Sequence, residues 1–157
     1  MSRRRRAVKR KLLEDSRYSS ILVSRLVNMV MTGGKKSTAQ RVVYGAFDAI
    51  STKHTDTSPL EILQRAVDNA KPRLEVKARR VGGATYQVPM EVTSDRQAAL
   101  AVRWLVAFAD KRKGIPMKEA LAAEILDAYQ GQGSAIRRRD EVHKMAQANK
   151  AFAHFRW

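Results

Sequence analysis

Apolar positions along the chain recur with two different periods. Ile21, Leu22, Leu26, Met29 and Val30, with Arg25 among them, follow a helical repeat. Ser19 or Ser20 is available as N-cap and Gly33-Gly34 as terminator. Ser37-Thr38-Ala39-Gln40 is a capping-box pattern that opens a second helix carrying Val42, Val43, Ala46, Phe47 and Ile50. After a polar stretch, Ser58-Pro59-Leu60-Glu61 combines an N-cap, a proline at the first helical position and a glutamate at N3. The stripe behind it is Leu60, Leu63, Ala66, Val67 and Ala70, and Pro72 ends the helix. Ser94-Asp95-Arg96-Gln97 caps a fourth helix with Ala99, Leu100, Val102, Leu105, Val106 and Phe108. It is apolar over much of its circumference, which predicts the centre of a bundle. Pro116 starts a fifth helix (Leu121, Ala122, Ile125, Leu126, Tyr129), broken by Gly131 and Gly133. Ser134 caps a sixth, from Ala135 to about Ala153, with Val142, Met145 and Ala146 inward.

Between Lys71 and Val92 the period changes to two. Leu74, Val76 and Ala78 alternate with Arg73, Lys77 and Arg79, Glu75 being the acidic exception. Beyond Gly82-Gly83, Ala84, Tyr86, Val88 and Met90 alternate with Thr85, Gln87 and Glu91. That is a β-hairpin. A two-residue Gly-Gly loop would set even positions opposite odd ones and place Arg79 beside Tyr86. A loop of odd length would pair Ala78 with Tyr86 and Val76 with Val88, giving one apolar and one basic face. The expectation is therefore an odd loop or a bulge, with Tyr86 packing on the apolar face rather than stacking a base. The fold class is mainly α: a six-helix domain with a protruding two-stranded antiparallel β-hairpin over 71–92. No internal repeat or composition shift divides the chain, so residues 1–157 are expected to form a single domain.

Charge changes the picture more than composition does. Hydrophobic residues make up 44%, enough for a globular core. Lys and Arg number 31 against 15 Asp and Glu, a net charge of +16. Such a surface attracts polyanions, nucleic acid before membrane. No apolar run is long enough to span a bilayer, and no short apolar stretch follows the basic N-terminus as a signal peptide requires. The absence of cysteine removes disulfides, thiolate metal sites and a cysteine nucleophile, and suits a reducing cytosol.

Catalytic chemistry finds little support. His54, His143 and His154 are scattered and spell no metal or triad motif. Gly33-Gly34-Lys35 lacks phosphate-loop spacing and has no strand before it. No enzyme activity, metal or cofactor is expected. The positive signal is a set of basic clusters. Residues 1–11, with Arg3, Arg4, Arg5, Arg6, Lys9, Arg10 and Lys11 and no acid, read as a flexible phosphate-binding arm. Further clusters lie at 35–36, 71–80, 111–113 and 137–139. In the last, Asp140-Glu141 follows Arg137-Arg138-Arg139, so part of its charge can be spent within the helix. Clusters this dispersed suit folded RNA, whose junctions present phosphates in an irregular array. A DNA-binding architectural or regulatory protein that lays a β-ribbon in a groove is the alternative.

The segments RRVGGATYQVP, GGKKSTAQRVVYGA, RQAALAVRW and HKMAQANKAFAHFRW closely resemble the bacterial small-subunit ribosomal protein seven family, from the basic N-terminus to Trp157. The resemblance implies a helical domain with a β-ribbon and a structural constituent of the small ribosomal subunit, in the cytoplasm. It implies a primary rRNA-binding protein that nucleates assembly of the head, the 3′ major domain. The expected rRNA ligands are the N-terminal cations with Lys35, Lys36, Arg73, Lys77, Arg79, Arg80, Arg96, Arg103, Lys111, Arg112 and Lys113. Val81, Gly82, Gly83, Ala84, Thr85 and Tyr86 become the tip near exit-site tRNA and mRNA. The small-subunit proteins numbered nine and eleven are implied neighbours. Phe155 and Trp157 are candidates for contact with the one numbered eleven, burial in the chain's own core being the other reading.

Overall fold

The computed structural model describes residues 12–155, so the basic arm at 1–11 and Trp157 lie outside the described residues. Within them the order is α1 (Ile21–Val30), α2 (Lys36–Lys53), α3 (Pro59–Ala70), β1 (Leu74–Val81), β2 (Ala84–Glu91), α4 (Ser94–Asp110), α5 (Met117–Tyr129), α6 (Gly133–Ala148) and a 3-10 helix, Lys150–Phe155. The mainly α class with one antiparallel hairpin is as the sequence indicates. No helix among the described residues is long and apolar enough to cross a membrane.

Helix starts follow the expected chemistry only in part. Ser58 caps α3, its hydroxyl accepting from the Glu61 N–H at 3.2 Å, with Pro59 behind it. The capping box at Ser37 does not form: α2 begins two residues earlier, with Lys35 rather than Ser37 at the N-cap and no side-chain cap. Ser94 and Ser134 likewise lie inside α4 and α6, whose N-caps are Thr93 and Gln132. The start of α6 is held instead by Glu124, whose carboxylate accepts from the Ala135 N–H at 3.0 Å. α6 also stops at Ala148, short of Ala153, and tightens into the 3-10 helix.

The helix at the centre is α5, not α4. It packs against α2, α3, α4 and α6, and its buried residues lie all round it: Ala120, Leu121, Ala122, Glu124, Ile125, Leu126 and Ala128. Many of these are alanines, which carry little hydrophobic signal yet allow helices to approach closely. In α4, by contrast, Ala99 is exposed and Leu100 and Phe108 are half-buried. α1 turns a different face inward than expected. Val23, Leu26 and Val27 are buried, whereas Ile21 and Met29 are 44% and 37% exposed. Arg25 and Asn28 mark the outward side of ILVSRLVNMV; Ile21 and Met29 flank it, and the side opposite, with Val23, Leu26 and Val27, packs inward. Met145 on α6, expected inside, is 39% exposed.

The hairpin overturns the register expectation. Val81 pairs with Ala84, Arg79 with Tyr86 and Lys77 with Val88, continuously to Leu74 with Glu91. The loop is the unbulged two-residue turn Gly82-Gly83, and there is no all-apolar face. Both glycines have positive φ (57° and 92°), the requirement of a type I′ turn. That turn matches the right-handed twist of the strands, whereas an odd loop would leave a residue unpaired. Mixed faces result: Glu75, Lys77 and Arg79 share one with Tyr86, Val88 and Met90. Val88 is fully buried. Glu75 is 9% exposed, matched by Arg96 of α4 at 2.8 Å and by Lys77 at 3.5 Å. Tyr86 packs as expected, but against the 3-10 helix, its ring centroid 5.2 Å from Phe152 and 4.9 Å from Phe155.

Candidate nucleic-acid interface

The basic residues divide by what they touch. Some are occupied within the fold. Arg112 bonds the buried Glu124 and Asp127, both at 2.5 Å, and these bonds raise its pKa, that to Asp127 most. Arg96 and Lys77 serve Glu75 at the root of the hairpin. Arg79 donates to the Phe155 carbonyl. Others are exposed and form no ion pair among the described residues: Lys35, Lys36, Arg73, Arg80, Arg103, Lys111 and Lys113.

Tertiary structure brings several of these together. Lys35, at the α1–α2 turn, and Arg103 of α4 line one hollow of about 490 Å³ with an apolar floor that includes Val42, Val106 and Met117. Lys111, at the end of α4, shares a second hollow with Arg137 and Arg138 of α6. Arg73, at the hairpin root, shares a third with Lys71, Arg139 and His143. Thus cations far apart in sequence, such as Lys35 and Arg103 or Arg73 and Arg139, become neighbours because α4 and α6 run beside the segments that carry the rest. Arg80 stands exposed on the arm itself, next to the tip at Gly82-Gly83.

α6 also clamps the hairpin root. Arg139 donates to the Asn69 carbonyl at 2.5 Å, and one turn later His143 Nε2 accepts from the Arg73 N–H at 2.9 Å. An acceptor nitrogen requires a neutral ring protonated on Nδ1. Burial first, and then the Arg139 charge, hold the His143 pKa below its ordinary value. Nearby, burial pushes the Asp68 carboxyl up, but hydrogen bonds from Lys71 and Gln64 outweigh it and the pKa is lowered. The remaining histidines are also engaged locally. His54 lies against the Tyr129 ring at 6.4 Å, and His154 Nδ1 is 2.8 Å from the Ala151 carbonyl.

Sequence reasoning missed Glu75 and Glu124 as the acids that fix the arm and α6. Glu75 carried a signal, being the lone acid among the basic odd positions of β1. Glu124 lay unmarked within AAEILDAY, where nothing distinguishes it from an exposed helix glutamate.

A basic helical body with a β-arm and cations gathered from several elements fits the class of RNA-binding structural proteins. The chain belongs to the ribosomal protein S7p/S5e family, whose sequence profile matches residues 2–150. It is 55% identical over its full length to the small ribosomal subunit protein uS7 of Akkermansia muciniphila, covering all of that protein. It is 56% identical over 155 residues, 99% of each chain, to that of Thermotoga petrophila, and 52% identical over the full length of both to that of Caulobacter sp.. It is therefore a non-enzymatic constituent of the small ribosomal subunit, and acts in translation as part of a ribonucleoprotein.

Proposed function

We propose that the chain is a primary rRNA-binding protein that nucleates folding of the head domain, working as one rRNA-binding domain in the cytoplasm. The supporting observation is the set of exposed cations without ion-pair partners among the described residues, drawn from the α1–α2 turn, the hairpin, α4 and its end. Each is a phosphate ligand on a helix, on the arm or in a segment joining them, so RNA helices that repel one another can be neutralised by one folded body. Lys35, Lys36, Arg73, Arg80, Arg103, Lys111 and Lys113 carry most of this, together with the cations of 1–11. Lys77, Arg79, Arg96 and Arg112 reach RNA while also holding the fold. The tip, 81–86, is left for exit-site tRNA and mRNA. Phe155, Trp157 and the C-terminal helix face neighbouring proteins of the subunit.

Salt titration tests this reading. Log affinity for a 3′-domain rRNA fragment should fall with log salt by roughly 0.7–0.9 per neutralised phosphate. Deleting residues 1–11 should lower that slope by several units with the helices intact; an unchanged slope removes the arm from the interface. Deleting 81–85 should spare rRNA affinity while altering tRNA or mRNA handling, and a large loss would refute the division of the arm. Tighter binding to duplex DNA than to the RNA junction would favour the DNA-binding alternative.

A further inference from the structure

The groove between α4 and α6 combines features that the phosphate-binding surface does not require. Trp104 and Phe108 stand one helical turn apart on α4 and are only half-buried. They line a hollow of about 530 Å³ with Lys111, Arg137, Arg138 and Glu141. Lys111 Nζ lies 5.1 Å from the Phe108 ring centroid, so the ring holds the ammonium at that end of the groove. Glu141 is the acid of the set, and Arg138 meets it at 3.1 Å through side chains 44% and 61% exposed. An exposed pair of this kind is weak and exchanges readily for a better anion. Arg137 is exposed and forms no ion pair among the described residues. Trp104 is the half-open aromatic here: among the described residues its ring has no aromatic neighbour and its indole N–H no acceptor. Trp104 and Arg138 also border a second hollow, of about 380 Å³, that runs on to Val76 and Ala78 of β1. Trp104 and Arg138 thus border both hollows, one towards the shaft of the arm and the other towards the end of α4.

Duplex RNA keeps its bases stacked and offers a groove wall of phosphate and 2′-hydroxyl. An unpaired strand offers a free base face beside a phosphate chain, which is what an open indole flanked by cations complements. We infer that the α4–α6 groove is a subsite for an unpaired strand of rRNA, with a base stacked on Trp104 and phosphates on Lys111, Arg137 and Arg138. This deepens the rRNA-binding reading and rests on it for the source of the strand.

The full-length chain carrying Trp157→Phe makes Trp104 the sole indole, since the chain has two tryptophans. Its fluorescence is titrated with a single-stranded oligouridylate of roughly six nucleotides, within the range of single-strand site sizes, and with a duplex of equal length. Saturable quenching by the single strand and little by the duplex is expected. Arg137→Gln with Arg138→Gln should weaken binding about tenfold, and Trp104→Leu, followed by anisotropy of a labelled oligomer, by a similar factor. Circular dichroism melts confirm that each variant is folded, and the surface arginine pair keeps the test valid if Trp104→Leu is not. Equal quenching by the duplex, or single-strand affinity unchanged in the arginine variant, overturns the subsite. Binding of the 3′-domain fragment is measured in parallel. Normal fragment affinity without oligomer quenching condemns the subsite alone, whereas loss of fragment binding by the parent chain condemns the rRNA reading itself.

Discussion

In α3, Leu63, Ala66, Val67 and Ala70 fall where a helical period puts them, and all four are buried. In β1, Leu74, Val76 and Ala78 share a face by a period of two, and none is fully buried. The two elements are comparably regular in sequence, yet only one is packed as its pattern suggests. A helix closes its own hydrogen bonds, so its apolar stripe is free to choose the face that packs. A strand shares its face with a partner, and the partner is placed by the turn. In the arm the glycine pair accepts φ of 57° and 92°, the I′ turn closes, and the facial segregation gives way. The mismatch costs little because most of the arm is exposed. Where it is not, at Glu75, a specific arginine compensates.

The sharpest way to break the comparison is in the helical body. Glu124 is fully buried, and its two oxygens serve Arg112 and the first turn of α6. Glu124→Ala leaves Arg112 with Asp127 alone and the start of α6 without its acceptor, and should cost about 2–3 kcal/mol. Chemical denaturation checks this, with the loss appearing as a shift of one cooperative transition. Placed on Arg112→Met, the same substitution should cost less, because the Arg112–Glu124 pair has already gone. Equal losses in both backgrounds would assign the effect to the α6 cap alone.

The arm should fail locally. Gly83→Val forces a β-branched residue to positive φ, which costs about 1–3 kcal/mol. Hydrogen exchange should quicken at β1 and β2 amides and stay slow in α2, α3 and α5. Exchange that rises throughout would mean that body and arm unfold together. Much of the fold was legible because α2, α3 and α5 carry both a period and a punctuating glycine or proline. The register was not, since parity in isolated strands says nothing of turn energy. The centrality of α5 was hidden by its alanines. Of the candidate interface, charge identified the cations but not their company: Arg112 and Lys111 adjoin in sequence, yet one is spent on Glu124 and the other opens onto a groove.

A smaller perturbation asks what fixes the outer part of the arm. Tyr86→Ala removes its ring contacts with Phe152 and Phe155, aromatic pairs worth about 0.5–1.5 kcal/mol each beyond the area they bury. Amides of 79–86 and of the 3-10 helix should lose protection together, with the denaturation midpoint of the body nearly unchanged. Loss on one side only would show that Arg79 and the Phe155 carbonyl hold the two elements together without the rings.

The smallest effect is expected at the hinge where body and arm meet. His143 accepts the Arg73 N–H, and its surroundings are Arg139 and Asp140 on α6, Asp68, Asn69 and Lys71 at the end of α3, and Arg73 itself. Burial and the arginines depress its pKa, while Asp140 acts in the opposite sense. A depressed folded value means that the unfolded chain takes up the proton first. The contribution is therefore complete above the unfolded pKa of about 6.5 and is lost as pH falls through the lowered folded value. Protonation also turns the acceptor into a donor facing an N–H. The lost bond is a partly exposed neutral one, worth about 0.5–1 kcal/mol at most. Stability measured from neutral to mildly acidic pH should decline slightly in the parent chain, while His143→Gln should remove that part of the slope and keep an acceptor for Arg73. The Arg73 amide should exchange faster in the parent as pH falls, after correction for intrinsic rates, and independently of this transition in the variant. An identical pH slope in both proteins would place the titration elsewhere.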